Sequence, residues 1–251
     1  MKSNTEWKYW GEKDPLFGVA AWKGRDKGGA NPWSEEDFIR LGELDWEDFR
    51  NRWQRFGLDN GHCIEIGCGA GRITRCLARD FKRVDATDIS ESMIKYARKL
   101  VGGTNVKFHL VENCQIPVES ASATAVFSTH VFQHFDGKSD VLSYFQEISR
   151  ALRPGGSMMI HIPLFTWPEG TPLLSKGLYR IAKYAQQSKA DIKRLFIRSG
   201  KPVCLMRMSS YETGWLVSIL TNLGFEEIEL MSFATQSNNS SHPFVLAKKI
   251  S

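Results

Sequence analysis

The chain predicts a doubly wound α/β fold, a mainly parallel sheet with helices on both faces, on three observations. An apolar strand runs into a glycine turn and then a helix between residues 63 and 77. A second strand ends in Asp88, about 20 residues beyond Gly67, where such folds place a carboxylate. Strand-like and helix-like periods then keep alternating as far as residue 162.

Taken in order, Cys63, Ile64 and Ile66 form the short apolar run of a buried strand. Gly67, Gly69 and Gly71 leave a turn with almost no side-chain bulk, and Ile73, Cys76 and Leu77 follow at helical spacing. This unit brings bare amides and a helix N-terminus against a charged ligand. Glu65 sits at the strand's end, a poor place for a carboxylate without a task. Arg72 stands where a G-x-G-x-x-G dinucleotide fingerprint needs its third glycine, which disfavours a nicotinamide cofactor. Asp88 suits the acceptance of hydrogen bonds from a ribose diol, and suits equally the support of the turn before a helix capped by Ser90. Asp85, inside the strand, is the less suitable ribose ligand.

Residues 106–111 alternate as a third strand and lead into Glu112, Asn113, Cys114 and Pro117. Residues 123–130 read as a fourth, ending near Thr129 and His130, with His134 shortly after. Val141, Leu142, Phe145, Ile148 and Leu152 keep helical spacing up to Pro154-Gly155-Gly156, where the turn precedes a fifth strand at 158–162. Ser209 to Glu212 has the form of a capping box before a helix carrying Leu216, Ile219, Leu220 and Leu223 and closed by Gly224. Residues 225–231 and 243–247 predict a final hairpin, with a polar loop at 237–241.

Four of these blocks, in this order, resemble the class I S-adenosylmethionine-dependent methyltransferases, of the type 11-like kind. The Glu65-x-Gly67-x-Gly69-x-Gly71 turn is similar to that family's first motif, Asp88 to its second, residues 112–117 to its third-strand signature, and residues 152–156 to its Leu-x-Pro-Gly-Gly turn. The resemblance implies a Rossmann-like seven-stranded sheet of order 3-2-1-4-5-7-6, the last strand antiparallel, with helices on both faces. It implies S-adenosylmethionine as cofactor and S-adenosylhomocysteine as product. Glu65, Gly67, Cys68, Gly69, Gly71 and Arg72 would surround its methionyl part, Asp88 and Ile89 the ribose, and Glu112, Asn113 and Cys114 the adenine, with Thr129 at the end of the fourth strand. Val111-Glu112 departs from the Gly-Asp that the family more often carries, and Thr124 stands where it usually has Asp.

Composition agrees. At 251 residues with 42% hydrophobic content, the chain can bury one α/β core with additions. No apolar run approaches the ~20 residues a membrane span needs. Residues 1–10 do not read as a signal peptide. The five cysteines show no paired ligand spacing, so a reduced, cytoplasmic protein without structural zinc or disulfides is expected, and no metal ligand is assigned.

The expected organisation is an N-terminal helical, aromatic lid at 1–60, a cofactor core at 61–162, a basic helical insertion at 163–203 and a completing helix and hairpin at 204–251. The first segment holds six of the eight tryptophans. Phe38 to Leu44 and Trp46 to Phe56 suggest two short amphipathic helices, whose tryptophans suit core packing. Tyr9 and Trp10 fall outside that pattern and are the lid candidates. The insertion carries eight basic residues, among them Lys176, Arg180 and Lys183, against Glu169 and Asp191. It would attract an anionic acceptor or form a solvated cationic face. Its charges lack interleaved aromatics, which argues against a nucleic-acid groove.

A sulfonium methyl is already activated, so the protein's task would be alignment and exclusion of water. A base is required only for a protonated acceptor, and His134 and His130 are the candidates, His134 suiting a packed helix start equally well. The expected activity is methyl transfer to a small molecule. The alternatives are cofactor binding without turnover, or an RNA or protein acceptor.

Overall fold

Alternation decides the sheet. In the computed structural model, which describes residues 4–168, 170–172, 174–178, 208–237 and 240–250, odd and even strand positions bury into separate cores. The strands concerned are β1 (His62–Ile66), β2 (Arg83–Asp88), β3 (Val106–Leu110), β4 (Ala123–Ser128), β5 (Leu152–His161), β8 (Phe225–Ala234) and β9 (Ser241–Lys249). Ile64, Ile66, Val126, Met158, Ile160 and Val245 face one side, with α6 (Lys138–Ala151) and α7 (Thr213–Asn222) over them. Cys63, Val84, Phe127, Met159, Phe244 and Leu246 face the other, under α3 (Glu35–Phe56) and α4 (Thr74–Asp80). Burial on both faces is what a mainly parallel sheet requires.

The sheet order is β3-β2-β1-β4-β5-β9-β8. β1 to β5 are mutually parallel, and β9 runs antiparallel to both β5 and β8. Counted within this sheet, β8 and β9 are its sixth and seventh strands, so the order is 3-2-1-4-5-7-6. The chain has the seven-stranded, Rossmann-like methyltransferase topology. Two short strands, β6 (Leu164–Phe165) and β7 (Tyr211–Glu212), pair separately and in parallel.

Two local expectations are corrected. Residues 35–56 form one 22-residue helix rather than two short ones. Ser34 caps it, accepting from the Asp37 amide at 3.0 Å, three acidic residues fill its first turn, and Gly57 closes it at φ 100°. Nothing between Leu44 and Trp46 breaks the period, and Asp45 is tied to Arg72 on the far side of the pocket described below. At 209–212 the capping box does not form, since Tyr211 and Glu212 pair with β6 and no side chain caps α7. Gly224 follows α7 at φ 78°, its amide donating to Thr221 at 3.1 Å, as expected of a closing glycine.

The segment before residue 60 covers the carboxyl edge of the sheet. α1 (Asn4–Lys13) and α2 (Pro15–Val19) lean on α5 (Glu91–Val101). Gly18 makes this contact possible, since a Cβ there would lie 2.8 Å from Met93 and 2.9 Å from Trp10. No helix among the described residues is long and apolar enough to cross a membrane.

Candidate active site

β1, β2 and β4 release the chain at the same edge of the sheet, and their loops form one wall of a pocket of about 260 Å³. Gly67 and Gly69, Thr87 to Ile89, Val111, and Thr129 to Val131 line this wall. Asn4 and Trp7 of α1, the α2 end through Trp22, and Leu41 and Asp45 of α3 close over it.

The three glycines of the turn do different work. Gly67 and Gly69 lie at φ 74° and 52°, and side chains there would run into Val131 and Val19 at the pocket rim. Gly71 (φ 90°) instead admits α5, a Cβ there falling 2.9 Å from Val101 and 3.1 Å from Ala97. Cys68 is buried in the sheet core and does not line the pocket. Asp88 accepts from the Gly69 amide at 2.8 Å and the Ser90 amide at 2.9 Å. Each oxygen keeps a second lone pair for a ligand. Both sequence readings of Asp88, turn support and ligand acceptor, are therefore compatible in one residue. Desolvation pushes its carboxyl above the ordinary range, against the pull of those amides.

Arg72 turns into the pocket and forms a buried ion pair with Asp45. Gly42 lets α3 approach closely enough, because a Cβ there would strike the Arg72 carbonyl. Glu65 is buried on β1 and does not line the pocket. Desolvation pushes its carboxyl up to about 7; the Thr74 hydroxyl beside it opposes the rise, Asp88 adds to it and Arg72 opposes it.

Polar atoms around this space are left open. Asn4 Oδ1, Asp45 Oδ1, Arg72 Nε and Thr129 Oγ1, all on lining residues, are buried with no hydrogen-bond partner among the described residues, as is Glu65 Oε2. Native interiors rarely leave so many polar atoms unmatched in one place without a ligand or water to meet them.

His134 and His130 both line the pocket. His134 ends a 3₁₀ turn (Phe132–His134), with Nε2 2.9 Å from the Gln133 amide nitrogen and Trp7 packed on its ring at 4.7 Å. Tyr211 anchors this turn by donating to the Phe132 carbonyl at 2.9 Å. His130, at φ 59°, faces His161 and His242 rather than His134's wall.

Several predicted contacts lie elsewhere. Glu112 is 71% exposed and pairs with Lys8 at 3.6 Å, and the lining takes Val111 in place of Glu112, Asn113 and Cys114. Tyr9 and Trp10 do not line the pocket; Trp10 packs on Phe17, and Trp7 and Trp22 line it instead. Helix α1 presents Asn4 and Trp7, three apart, on the face turned to the pocket. Lys176 lies 5.8 Å from the Trp167 ring and outside the lining. Arg180 and Lys183 fall outside the described residues. The sequence reading missed Trp7, Asp45, Gln133, Tyr144 and Ser237 of the lining, and the histidines His161 and His242 beside it.

Residues 64–160 match the family model described as a methyltransferase domain. That region is a methyltransferase domain of the class I S-adenosylmethionine-dependent kind. The chain is 36% identical over 98 residues to a malonyl-[acyl-carrier protein] O-methyltransferase of Hahella chejuensis, covering 38% of this chain and 34% of that one. It is 25% identical over 216 residues to a tRNA U34 carboxymethyltransferase of Pseudoalteromonas atlantica, covering 81% and 58%. Among solved structures, magnesium protoporphyrin IX methyltransferase from Synechocystis, with bound S-adenosylhomocysteine, superposes with a TM-score of 0.59 at 17% identity, covering 98% of this chain and 99% of that one. The methyltransferase spans between about a third and 58% of the length of the curated relatives named here.

Proposed function

We propose that this methyltransferase transfers the methyl group of S-adenosylmethionine to a small molecule held in the pocket under α1 and α2. The observation that carries this is the set of unmatched polar atoms on an otherwise apolar, covered pocket at the carboxyl edge of the sheet. The residues fit the cofactor. Gly67 and Gly69 leave the wall bare, Asp88 offers lone pairs for a diol, and Thr129 offers a hydroxyl. Glu65, buried behind the glycine turn beside Thr74, would meet a ligand ammonium only through water.

The bound cofactor would supply an activated methyl on a sulfonium. This chain's residues then have three tasks. The glycine wall and Asp88 fix the donor's orientation. Trp7, Trp22, Phe135 and Tyr144 present apolar surface that excludes water and aligns the acceptor. His134, held by Gln133 at 2.9 Å and packed on Trp7, stands on the pocket wall where it would orient the acceptor.

The described wall favours an uncharged acceptor. Its lining Arg72 is already paired with Asp45, and no lysine lines it among the described residues. The pocket is covered from two sides, which supports a small molecule over an RNA strand. A transfer assay with methyl-labelled S-adenosylmethionine tests this, run against small neutral phenols and amines, small carboxylic acids and unmodified tRNA. Label entering the neutral set is the expected result. Label entering only tRNA would overturn the small-molecule reading, and no label with intact cofactor binding would favour a binding protein without turnover.

A further inference from the structure

Three histidines distant in sequence converge beside the pocket. His130 follows β4 by two residues, His161 ends β5, and His242 is the second residue of β9. Register explains the meeting, since Ser128 of β4 pairs with Ile160 and His161 pairs with Phe244 of β9. Adjacent strands therefore deliver all three rings to one edge, with centroids 4.5, 5.0 and 5.6 Å apart. One nitrogen of each ring lies within 4.8 Å of those of the other two. His161 is only 3% exposed, and its Nδ1 has no hydrogen-bond partner among the described residues. Packing alone does not account for this, because an unmatched buried ring nitrogen costs stability that an apolar side chain would not. The sequence reading assigned no metal ligand.

We propose that His130, His161 and His242 form a three-imidazole site for a divalent transition-metal ion of the zinc class, with its remaining coordination position open to the pocket. Imidazole suits zinc and its borderline neighbours. Three protein ligands with one open position is the arrangement of zinc sites that bind a further ligand, as opposed to closed structural sites. Zinc–nitrogen bonds of about 2.0–2.1 Å in a tetrahedron put ligand nitrogens about 3.4 Å apart, so the rings need close by no more than ~1.4 Å. Desolvation lowers all three rings from the ordinary histidine range, toward the neutral form that offers a lone pair. His130 is the ligand that lines the pocket, which directs the open position there. Asp45, whose Oδ1 is unmatched, acts electrostatically on His242 and can serve as the carboxylate that orients a ligating ring.

The open position would accept an oxygen or nitrogen donor and make it easier to deprotonate. For methyl transfer this would supply the ionised acceptor, its proton passing to solvent water as it binds, a consequence that rests on the proposed activity, whereas metal binding does not.

The test uses the full chain, stripped with a chelator. Calorimetric titration with zinc(II) should show about one saturable site per chain. His161→Ala and His242→Ala should each weaken it by more than the ~10–100-fold that loss of an outer partner costs. Affinity for S-adenosylhomocysteine should persist in both variants, which reports that the fold survives; His161→Asn serves where alanine does not fold. Cobalt(II) in the wild-type site should give a visible spectrum that azide shifts. No saturable zinc site, or wild-type zinc affinity in the folded variants, overturns the proposal. A cobalt spectrum blind to azide overturns the open position. Failure of S-adenosylhomocysteine to bind the wild type, with zinc binding intact, strikes the cofactor reading instead.

Discussion

Two groups of buried and half-buried histidines in this molecule differ in one respect that separates support from function. His62 and His109 flank Asp85, each placing Nε2 2.6 Å from a carboxylate oxygen, and Arg83 adds a contact at 2.8 Å. His62 also holds the Ser122 carbonyl at 3.1 Å through its other nitrogen. That network closes on itself across β1, β2 and β3. His130, His161 and His242 gather at the sheet's carboxyl edge around no shared carboxylate, and His161 leaves a nitrogen unmatched among the described residues. Residue type is the same in both groups, and each mixes buried with half-buried rings. What differs is whether the donors and acceptors are satisfied within the protein, and the open group lies against the pocket.

The largest effect should come from opening the closed network. Asp85→Ala strips the partner from two histidines and an arginine and should cost about 3–5 kcal/mol, measured by denaturant unfolding. Burial would raise the Asp85 carboxyl, but His109, His62 and Arg83 hold it well below the ordinary range. Its stabilisation is therefore present above the unfolded value of about 4 and is lost as pH falls through the lower folded value. The gap between wild type and Asp85→Ala should close on acidification; a gap independent of pH would show that packing, not the charge network, dominates there.

Next comes a contrast between the two groups. Zinc at 100 times its dissociation constant should stabilise the wild type by about 2.7 kcal/mol. The thermal midpoint of Asp85→Asn should rise with zinc as the wild type's does, while that of His161→Ala should not move. Equal zinc shifts in all three proteins would erase the distinction between closed and open groups.

Glu65 belongs with the open set. Its folded value of about 7, raised by burial, means that ionisation costs stability as pH climbs from the unfolded value of about 4.3 to about 7. A ligand ammonium that needs the anion gains over the same window. Affinity for S-adenosylhomocysteine should thus rise by up to ~tenfold per pH unit below about 7 and then level off. Glu65→Gln should flatten that profile, and a flat wild-type profile would remove Glu65 from the ligand's surroundings.

The smallest effect is expected at an exposed, closed pair. Glu112→Ala breaks only the contact with Lys8 and should cost under ~1 kcal/mol, with cofactor affinity unchanged. A tenfold loss of affinity would return Glu112 to the adenine-reading role its sequence position suggests.

The glycine wall of the pocket was legible in the sequence because its determinants are local. Gly67, Gly69 and Asp88 lie within one strand-turn-helix-strand unit, where spacing alone sets position. The acceptor side was not legible, because topology builds it. His161 and His242 are 81 residues apart and meet only through the antiparallel pairing of β5 with β9. Trp7 and Trp10 share one helix, and which of them faces the pocket depends on how α1 docks on α5, through Gly11 against Ser90 and Met93. The capping pattern at 209–212 was a sound local signal overridden by a strand pairing with residues 164–165.

The most direct measurement is a calorimetric titration of S-adenosylhomocysteine into the wild type and into Gly69→Val at neutral pH. Gly69 lies at φ 52°, and a side chain there would meet Val19 at 2.6 Å, so valine should fill the cofactor wall and strain the turn. Saturable one-to-one binding by the wild type, reduced at least ~100-fold (about 2.7 kcal/mol) in a variant with the wild-type circular dichroism spectrum, is the predicted result. Equal affinity in the two proteins, or no binding by the wild type, would contradict the placement of the cofactor in this pocket.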